Sequence, residues 1–335
     1  MNIAQIAKLA GVSKTTVSFV FNDKAAQHKI SPNVRKRVLD IAEKNDYIPN
    51  QNARGLRLKK TQTLGLVIPD LQNWFFAELS HSVEQVARSR GFQVFITCSE
   101  GDDGIESEII RNLISRSVDG LIVASATKKD QLTRNLPGNI PAVYIDRRIQ
   151  TRTVSWVSSD NYQGAYDVVS HMCARGARDI FYFGGIEGII TSRDRLAGYK
   201  KALEDNQIVF HDKQVFHGDF TASSGYRMAR EALAVHNGFP KAFFTASYTI
   251  LEGILQFIKE NVPATPANVR AGTFDDYPLL DHLPLRINSV RQDCRAMAQA
   301  AFELLEDYSL GRKARNRIIP VKLIVRDSPP VGSPR

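Results

Sequence analysis

Carboxylates, hydroxyls and arginines recur in this sequence directly after short apolar runs. Asp70 follows the run at 64–68, Ser125 that at 120–123, and Asp146 with Arg147 that at 142–145. Thr191 to Arg195 lie beyond the run at 180–183, Ser247 beyond 241–244, and Asp275 with Asp276 beyond 269–274. Trp74, Phe75, Phe76 and Phe220 add aromatic faces. Together these residues suit a polyol, because a sugar offers hydroxyl pairs to carboxylate and guanidinium groups and a C–H face to aromatic rings. A lone Asp at a strand end is more often a cap or turn than a ligand, so the reading rests on the set. Arg147 and Arg193 stay outside it, since such arginines are ordinarily solvated. Asp275 and Asp276 point in opposite directions if they end a strand, which argues against a general acid/base pair.

A second chemistry belongs to the first 60 residues, which hold 12 Lys/Arg and 4 Asp/Glu. Their net +8 is nearly the whole of the chain's +9, leaving an almost neutral body. Lys14, Thr15, Thr16, Ser18 and Phe19 share a short, mostly polar and basic stretch suited to contacting a nucleic-acid groove. Enzymatic readings find little support. Gly184-Gly185-x-x-Gly188 is not a dinucleotide fingerprint, and no phosphate-binding loop, nucleophile elbow or H-E-x-x-H occurs. The seven histidines lack metal-ligand spacing, and Cys98, Cys173 and Cys294 are too few and too scattered for a disulfide framework. No cofactor or metal is expected.

The elements that must position these groups follow from periodicity. Ile3, Ile6, Ala7 and Ala10 form one helical face, Gly11 ends that helix, and Ser13 caps a second in which Val17, Val20 and Phe21 point inward. A third helix opens at Ser31-Pro32 with Val34, Val38, Ile41 and Ala42 on its apolar side, which makes a helix-turn-helix. Asn50 can cap a further helix of about two turns, with Ala53 and Leu56 on one side and Arg54 nearby. So short a helix needs DNA or a partner to cover it, and Leu56 is the kind of side chain that wedges into a minor groove. From residue 63 onward, apolar strands at the positions given above and at 93–97 alternate with helices at 75–90, 105–116, 163–175, 193–206, 223–234 and 250–259. That alternation implies parallel sheets, in two α/β subdomains dividing near 158–160. A length of 335 residues also favours more than one domain. No apolar run approaches the ~20 residues of a membrane span. The first residues do not read as a signal peptide, so a cytoplasmic location is expected.

IAQIAKLAGVSKTTVSFVFN, then YIPNQNARGLR and TLGLVIPD, resemble the LacI/GalR family of bacterial transcription repressors, and the likeness runs along nearly the whole chain. The resemblance implies an N-terminal all-α helix-turn-helix domain (1–47), a hinge helix and linker (48–61), and an α/β periplasmic-binding-protein-like body (62–328) that binds effector and dimerises. That body would comprise two parallel-sheet subdomains with a crossover near 288–292, followed by a flexible tail (329–335). The resemblance also implies base reading by Lys14, Thr15 and Phe19, a minor-groove wedge at Leu56, and a homodimer on operator DNA. Phe19 stands where the family commonly has Arg, so contact with a thymine methyl replaces a hydrogen bond to guanine. TSRDRLAGYKKAL places Arg195 on the effector, FDD places Asp275 there, Asp146 joins them, and RQD makes Gln292 a candidate. SRDRLAGY, SSGY, FDDYPLLDHLPLRI and SVRQD resemble the members that control sucrose utilisation, which implies release from the operator by a fructose-type effector. The alternatives are a global regulator responding to fructose 1-phosphate, as in the members that control fructose utilisation, or a sugar-binding protein without a DNA role.

Overall fold

Three side-chain caps and one left-handed glycine set the local structure of the N-terminal residues. Asn2 and Gln5 cap each other's backbone N–H groups at the start of α1 (Ile3–Ala10), Ser13 caps α2 (Lys14–Phe21), and Ser31 caps α3 (Pro32–Lys44). Each cap satisfies N–H groups that a helix start leaves without partners. Gly11 closes α1 at φ +62°, a conformation that costs glycine nothing, and the Val12 N–H turns back to the Ala7 carbonyl at 3.0 Å. Ile6, Val17 and Val38, one from each helix, are fully buried at the centre of a small core. This is the helix-turn-helix that the periodicity implies.

The computed structural model describes residues 1–47, 60–125, 132, 140–149, 153–236, 238–262 and 269–327. Its two units are Met1–Thr61 and Gln62–Arg335. The larger unit consists of two lobes, each built on one sheet.

In the first lobe the strands are β1 (Thr63–Ile68), β2 (Gln93–Cys98), β3 (Gly120–Val123), β4 (Ala142–Ile145) and β5 (Ser155–Ser159), all parallel. Helices α4 (Trp74–Ser89) and α5 (Asp103–Ser115) connect the early strands. The chain then enters the second lobe through α6 (Asn161–Ala174) and β6 (Ile180–Gly184), continuing with α7 (Ile190–Asp205), β7 (Val215–His217) and α8 (Ala222–Val235). There follow β8 (Ala242–Thr245), α9 (Tyr248–Asn261), β9 (Arg270–Phe274) and β10 (Ile287–Arg291). It returns to the first lobe as α10 (Cys294–Ser309) and β11 (Asn316–Ile319), and crosses a last time to β12 (Lys322–Ile324). The sheet orders are β11-β5-β4-β3-β1-β2 and β12-β10-β9-β8-β6-β7, with only β12 antiparallel to its neighbour. Both lobes therefore repeat one doubly wound order, whose ligand crevice lies at the carboxyl ends of the strands.

The structure adds elements that the sequence reading does not contain: β5, β7, β10 and α10. The strands among them are short, polar or at an edge, and the buried stripe of α10 leans on three alanines beside Cys294, Met297, Phe302, Leu304 and Leu305. The division near 158–160 falls between β5 and α6. The third crossing, between Ile319 and Lys322, is new. Among the described residues no helix is long and apolar enough to cross a membrane.

Helices α8 and α9 touch backbone to backbone. A Cβ on Gly253 would lie 1.7 Å from the Ala222 carbonyl oxygen, and one on Gly225 would lie 2.1 Å from that of Ile250. Main chain cannot yield as a side-chain tip does, so Gly253→Ala must push the two helices apart. Such overpacking costs about 1–3 kcal/mol, and urea denaturation should show the midpoint falling accordingly. An unchanged midpoint would mean that the helices are not in this contact.

Candidate functional site

In the N-terminal unit, Lys14 and Thr15 are exposed on the first turn of α2. Thr16 is half-buried; its N–H donates to Ser13 Oγ at 3.0 Å, and the two hydroxyls lie 2.9 Å apart. Ser18 Oγ accepts from Asn22 Nδ2 at 3.3 Å. Phe19 differs from a freely projecting reader. Its ring is half-buried and stacks on His28 of the α2–α3 turn, with centroids 3.5 Å apart and planes 9° from parallel. One face of Phe19 is thus covered and fixed, leaving an edge for contact. Asn50, Ala53, Arg54 and Leu56, with the hinge helix they would form, lie outside the described residues.

In the larger unit a buried charged cluster forms where the strands of both lobes end. β4 and β9 occupy the same place in their two sheets, and each runs into an aspartate in the left-handed region: Asp146 at φ +59° and Asp275 at φ +71°. Asp tolerates this conformation better than most residues, at a cost on the order of 1 kcal/mol or more. Both carboxylates are buried. Asp275 accepts from Gln292 Nε2 at 2.6 Å, whereas Asp146 Oδ1 has no partner.

Arg195, on α7, is held from three sides. Its Nε donates to Asn161 Oδ1 at 2.8 Å, its Nη1 donates to the Ala246 carbonyl, and the guanidinium carbon lies 3.6 Å above the centre of the Phe274 ring. Arg147 is also buried, with its guanidinium between Phe76 of the first lobe (5.5 Å) and Phe220 of the second (5.1 Å). The expectation that Arg147 is solvated therefore fails, because aromatic rings from both lobes and nearby carboxylates replace water. Arg193 does remain solvated, at 61% side-chain exposure.

Electrostatics follow from this burial. Desolvation pushes the Asp146 carboxyl up to about 6 even though Arg195 and Arg147 pull it down, and Asp275 adds to the rise. Burial raises Asp275 as well, against Arg195 and the Gln292 hydrogen bond. Arg147 is lowered by burial despite Asp146 and Glu106. Asp276 turns away from its neighbour. It accepts from Ser289 Oγ (2.5 Å), Arg326 Nη2 (2.7 Å) and Arg291 Nη2 (2.6 Å). Burial alone would raise its carboxyl, but these bonds win and hold it below the usual range.

Unpartnered atoms mark the space between these groups. Thr191 Oγ1 and Ser192 Oγ on the first turn of α7, Asp146 Oδ1 and Gln292 Oε1 are all buried without a hydrogen bond. Buried polar atoms are seldom left so. Unsatisfied hydroxyl, amide and carboxylate oxygens such as these are what a hydroxyl-rich ligand can satisfy.

The remaining expected residues lie around this cluster in varied ways. Ser125 donates to the buried Glu106 at 2.9 Å, and Ser247 caps α9 through the Ile250 N–H at 3.3 Å. Phe75 is buried edge-on to Phe76 in the first lobe's core. Trp74 is partly exposed and edge-on to Tyr277 of the other lobe, 4.9 Å between centroids. Asp70 is exposed and bonded to the Gln72 N–H at 2.8 Å, as a turn residue. Sequence reasoning missed Glu106 and Asn161, and set Arg147 aside as solvated. The apolar run before Asp146-Arg147 was the one available signal for Arg147.

Comparison with known proteins agrees with both units. Residues 2–50 match the family described as "Bacterial regulatory proteins, lacI family", and residues 61–307 match "Periplasmic binding proteins and sugar binding domain of LacI family". The sucrose operon repressor of Klebsiella pneumoniae is 35% identical, over 97% of this chain and 98% of its own length. The fructose operon regulatory protein of Vibrio cholerae is 32% identical, over 97% and 100%. Among solved structures, the Cra transcriptional dual regulator from Pseudomonas putida in complex with fructose 1-phosphate is 27% identical, with a TM-score of 0.73 over 80% of this chain and 99% of that one. The chain belongs to the lacI family of bacterial regulatory proteins: it is a DNA-binding transcription regulator, not an enzyme, whose body is the family's sugar-binding domain.

Proposed function

We propose that this regulator represses genes of sucrose utilisation and leaves its operator when a neutral, fructose-type sugar fills the cleft. The observation that carries this reading is charge balance. Three buried carboxyl groups, Asp146, Asp275 and Glu106, accompany two buried guanidinia, Arg147 and Arg195, so the site needs no negative charge from its ligand. A phosphate needs further convergent cations. The remaining nearby arginines are already committed or solvated: Arg148 pairs with Asp194 at 2.6 Å, and Arg193 lies out in solvent. The 35% likeness to a sucrose operon repressor points the same way. In this reading Thr191, Gln292 and Ser125 add polar contacts, and Trp74, Phe76 and Phe220 border the apolar side of the sugar. Asp70, Phe75 and Ser247 support the walls.

On DNA, Lys14, Thr15, Thr16, Ser18 and Phe19 enter the major groove. Asn50, Ala53, Arg54 and Leu56 serve the adjacent minor groove. Two copies would place these modules on half-sites about 34–36 Å apart. A second copy also suits the edge strand β2, where Phe95 and Ile96 are exposed on an unpaired edge. Sugar then acts solely through its different affinity for the operator-bound and released states.

Calorimetric titration of the full chain with fructose and with fructose 1-phosphate, paired with an operator-release assay, tests the effector. Fructose should bind and release; if only the phosphate ester does so, the neutral-ligand reading is overturned. Acidity gives an independent check. Because burial sets the Asp146 carboxyl above its unfolded value, its contribution to the ligand-free fold is present at low pH and lost as pH rises through about 6. A sugar hydroxyl donating to the carboxylate favours the ionised form. Affinity should therefore climb between pH 5 and 7 and level off above, and Asp146→Asn should abolish the climb; a flat wild-type profile refutes the contact. On the DNA side, Lys14→Ala should reduce the log-affinity against log-salt slope by about 1 and relax preference at the base it reads. Phe19→Ala should leave the slope intact and relax preference at one base pair by on the order of 1 kcal/mol. Selection from randomised operators separates the two.

A further inference from the structure

At the pole of the second lobe away from the cleft, a cavity of about 400 Å³ opens beside the starts of β9 and β10. Arg175, Arg270, Arg286, Asn288 and Asp327 line it above an apolar wall that includes Met172 and Val269. It lies at the opposite end of β9 from Asp275, roughly 17 Å along a five-residue strand.

Its charges are out of balance. In the β9–β10 ladder Ala271 neighbours Ile287, so Arg270 and Arg286, one step earlier, stand side by side. Like charges across a strand pair repel, yet neither arginine has an acidic partner among the described residues. The one carboxylate in the wall is already engaged: Asp327 lies 2.9 and 3.0 Å from His171 Nε2 and 3.6 Å from Arg175 Nε.

Asn288 supports the same conclusion from a different direction. It is buried, and its carboxamide oxygen accepts the N–H groups of Arg326 (2.8 Å) and Asp327 (3.3 Å). The group it has left to offer the cavity is therefore its Nδ2 donor. Three guanidinia and an amide donor line one space whose one carboxylate among the described residues is already engaged. Guanidinium pairs bind phosphate oxygens through parallel hydrogen bonds and at full charge.

We propose that this cavity binds a phosphomonoester dianion, at a site independent of the sugar cleft. The test is calorimetric titration of the full chain with inorganic phosphate at fixed ionic strength, comparing wild type, Arg270→Gln/Arg286→Gln and the cleft variant Asp146→Asn. One saturable phosphate site is expected. It should weaken at least tenfold in the double variant and stay within twofold of wild type in Asp146→Asn. Heat without saturation, or equal binding in the double variant, overturns the proposal, since phosphate would then be screening charge or residing elsewhere. Melting in phosphate-free, low-salt buffer gives a readout of opposite sign. The double variant loses a repulsion and should melt at or above wild type, and phosphate should raise the melting point of wild type only. A lower melting point for the double variant would show that the arginines are structural and also refute the site.

Discussion

Everything in the body converges on the mutual compensation of Asp146, Arg147, Arg195 and Asp275. Each of these ions, buried alone, would cost several kcal/mol. Together, and with Asn161, Gln292 and the rings of Phe76, Phe220 and Phe274, they become tolerable. The balance is incomplete, as the raised carboxyls and the unbonded Asp146 Oδ1 show. A site that is slightly under-satisfied is poised for a ligand, because the ligand supplies the hydrogen bonds the protein withholds.

The repeated topology explains how such a cluster can be assembled. Equivalent strands of the two lobes, β4 and β9, end in equivalent left-handed aspartates, so the cleft receives one carboxylate from each side. The residue after each then takes a separate role. Arg147 spans the gap between aromatic rings of opposite lobes, while Asp276 ties β9 to Arg291 at the crossover and to Arg326 beyond β12. The buried charged cluster and the interlobe connection thus sit one residue apart in the chain. That adjacency gives a change in the cleft a short mechanical path to the strands joining the lobes.

Much of this was legible from local pattern. Fully buried parallel strands read as unbroken apolar runs, so β1, β3, β4, β6, β8 and β9 declare themselves, and the helices between them follow from their spacing. β5 (SWVSS) and β10 (INSVR) carry serines and an asparagine whose partners come from distant parts of the chain: the Asp146 carbonyl for Ser158, Met297 for Ser159 and Arg326, just beyond β12, for Asn288. β11 and β12 are edge strands of three or four partly exposed residues. The same distinction governs the site. Asp146, Arg195 and Asp275 could be found at strand ends and in motif-like stretches, but the burial of Arg147 depends on Phe220, more than seventy positions away. The stack of Phe19 on His28 likewise depends on the course of a turn, which residue types alone do not set.

The three crossings between lobes carry a consequence for how the molecule is made. The helix-turn-helix core closes on residues no later than Tyr47 and is complete early in synthesis. Neither lobe is complete until the chain has reached its last strands, because β11 finishes the first sheet and β12 the second. A ribosome therefore exposes a complete helix-turn-helix fold well before either lobe of the body can close. For that interval, and in any chain cut short before Asn316, the part that recognises the operator exists without the part that can be told to let go.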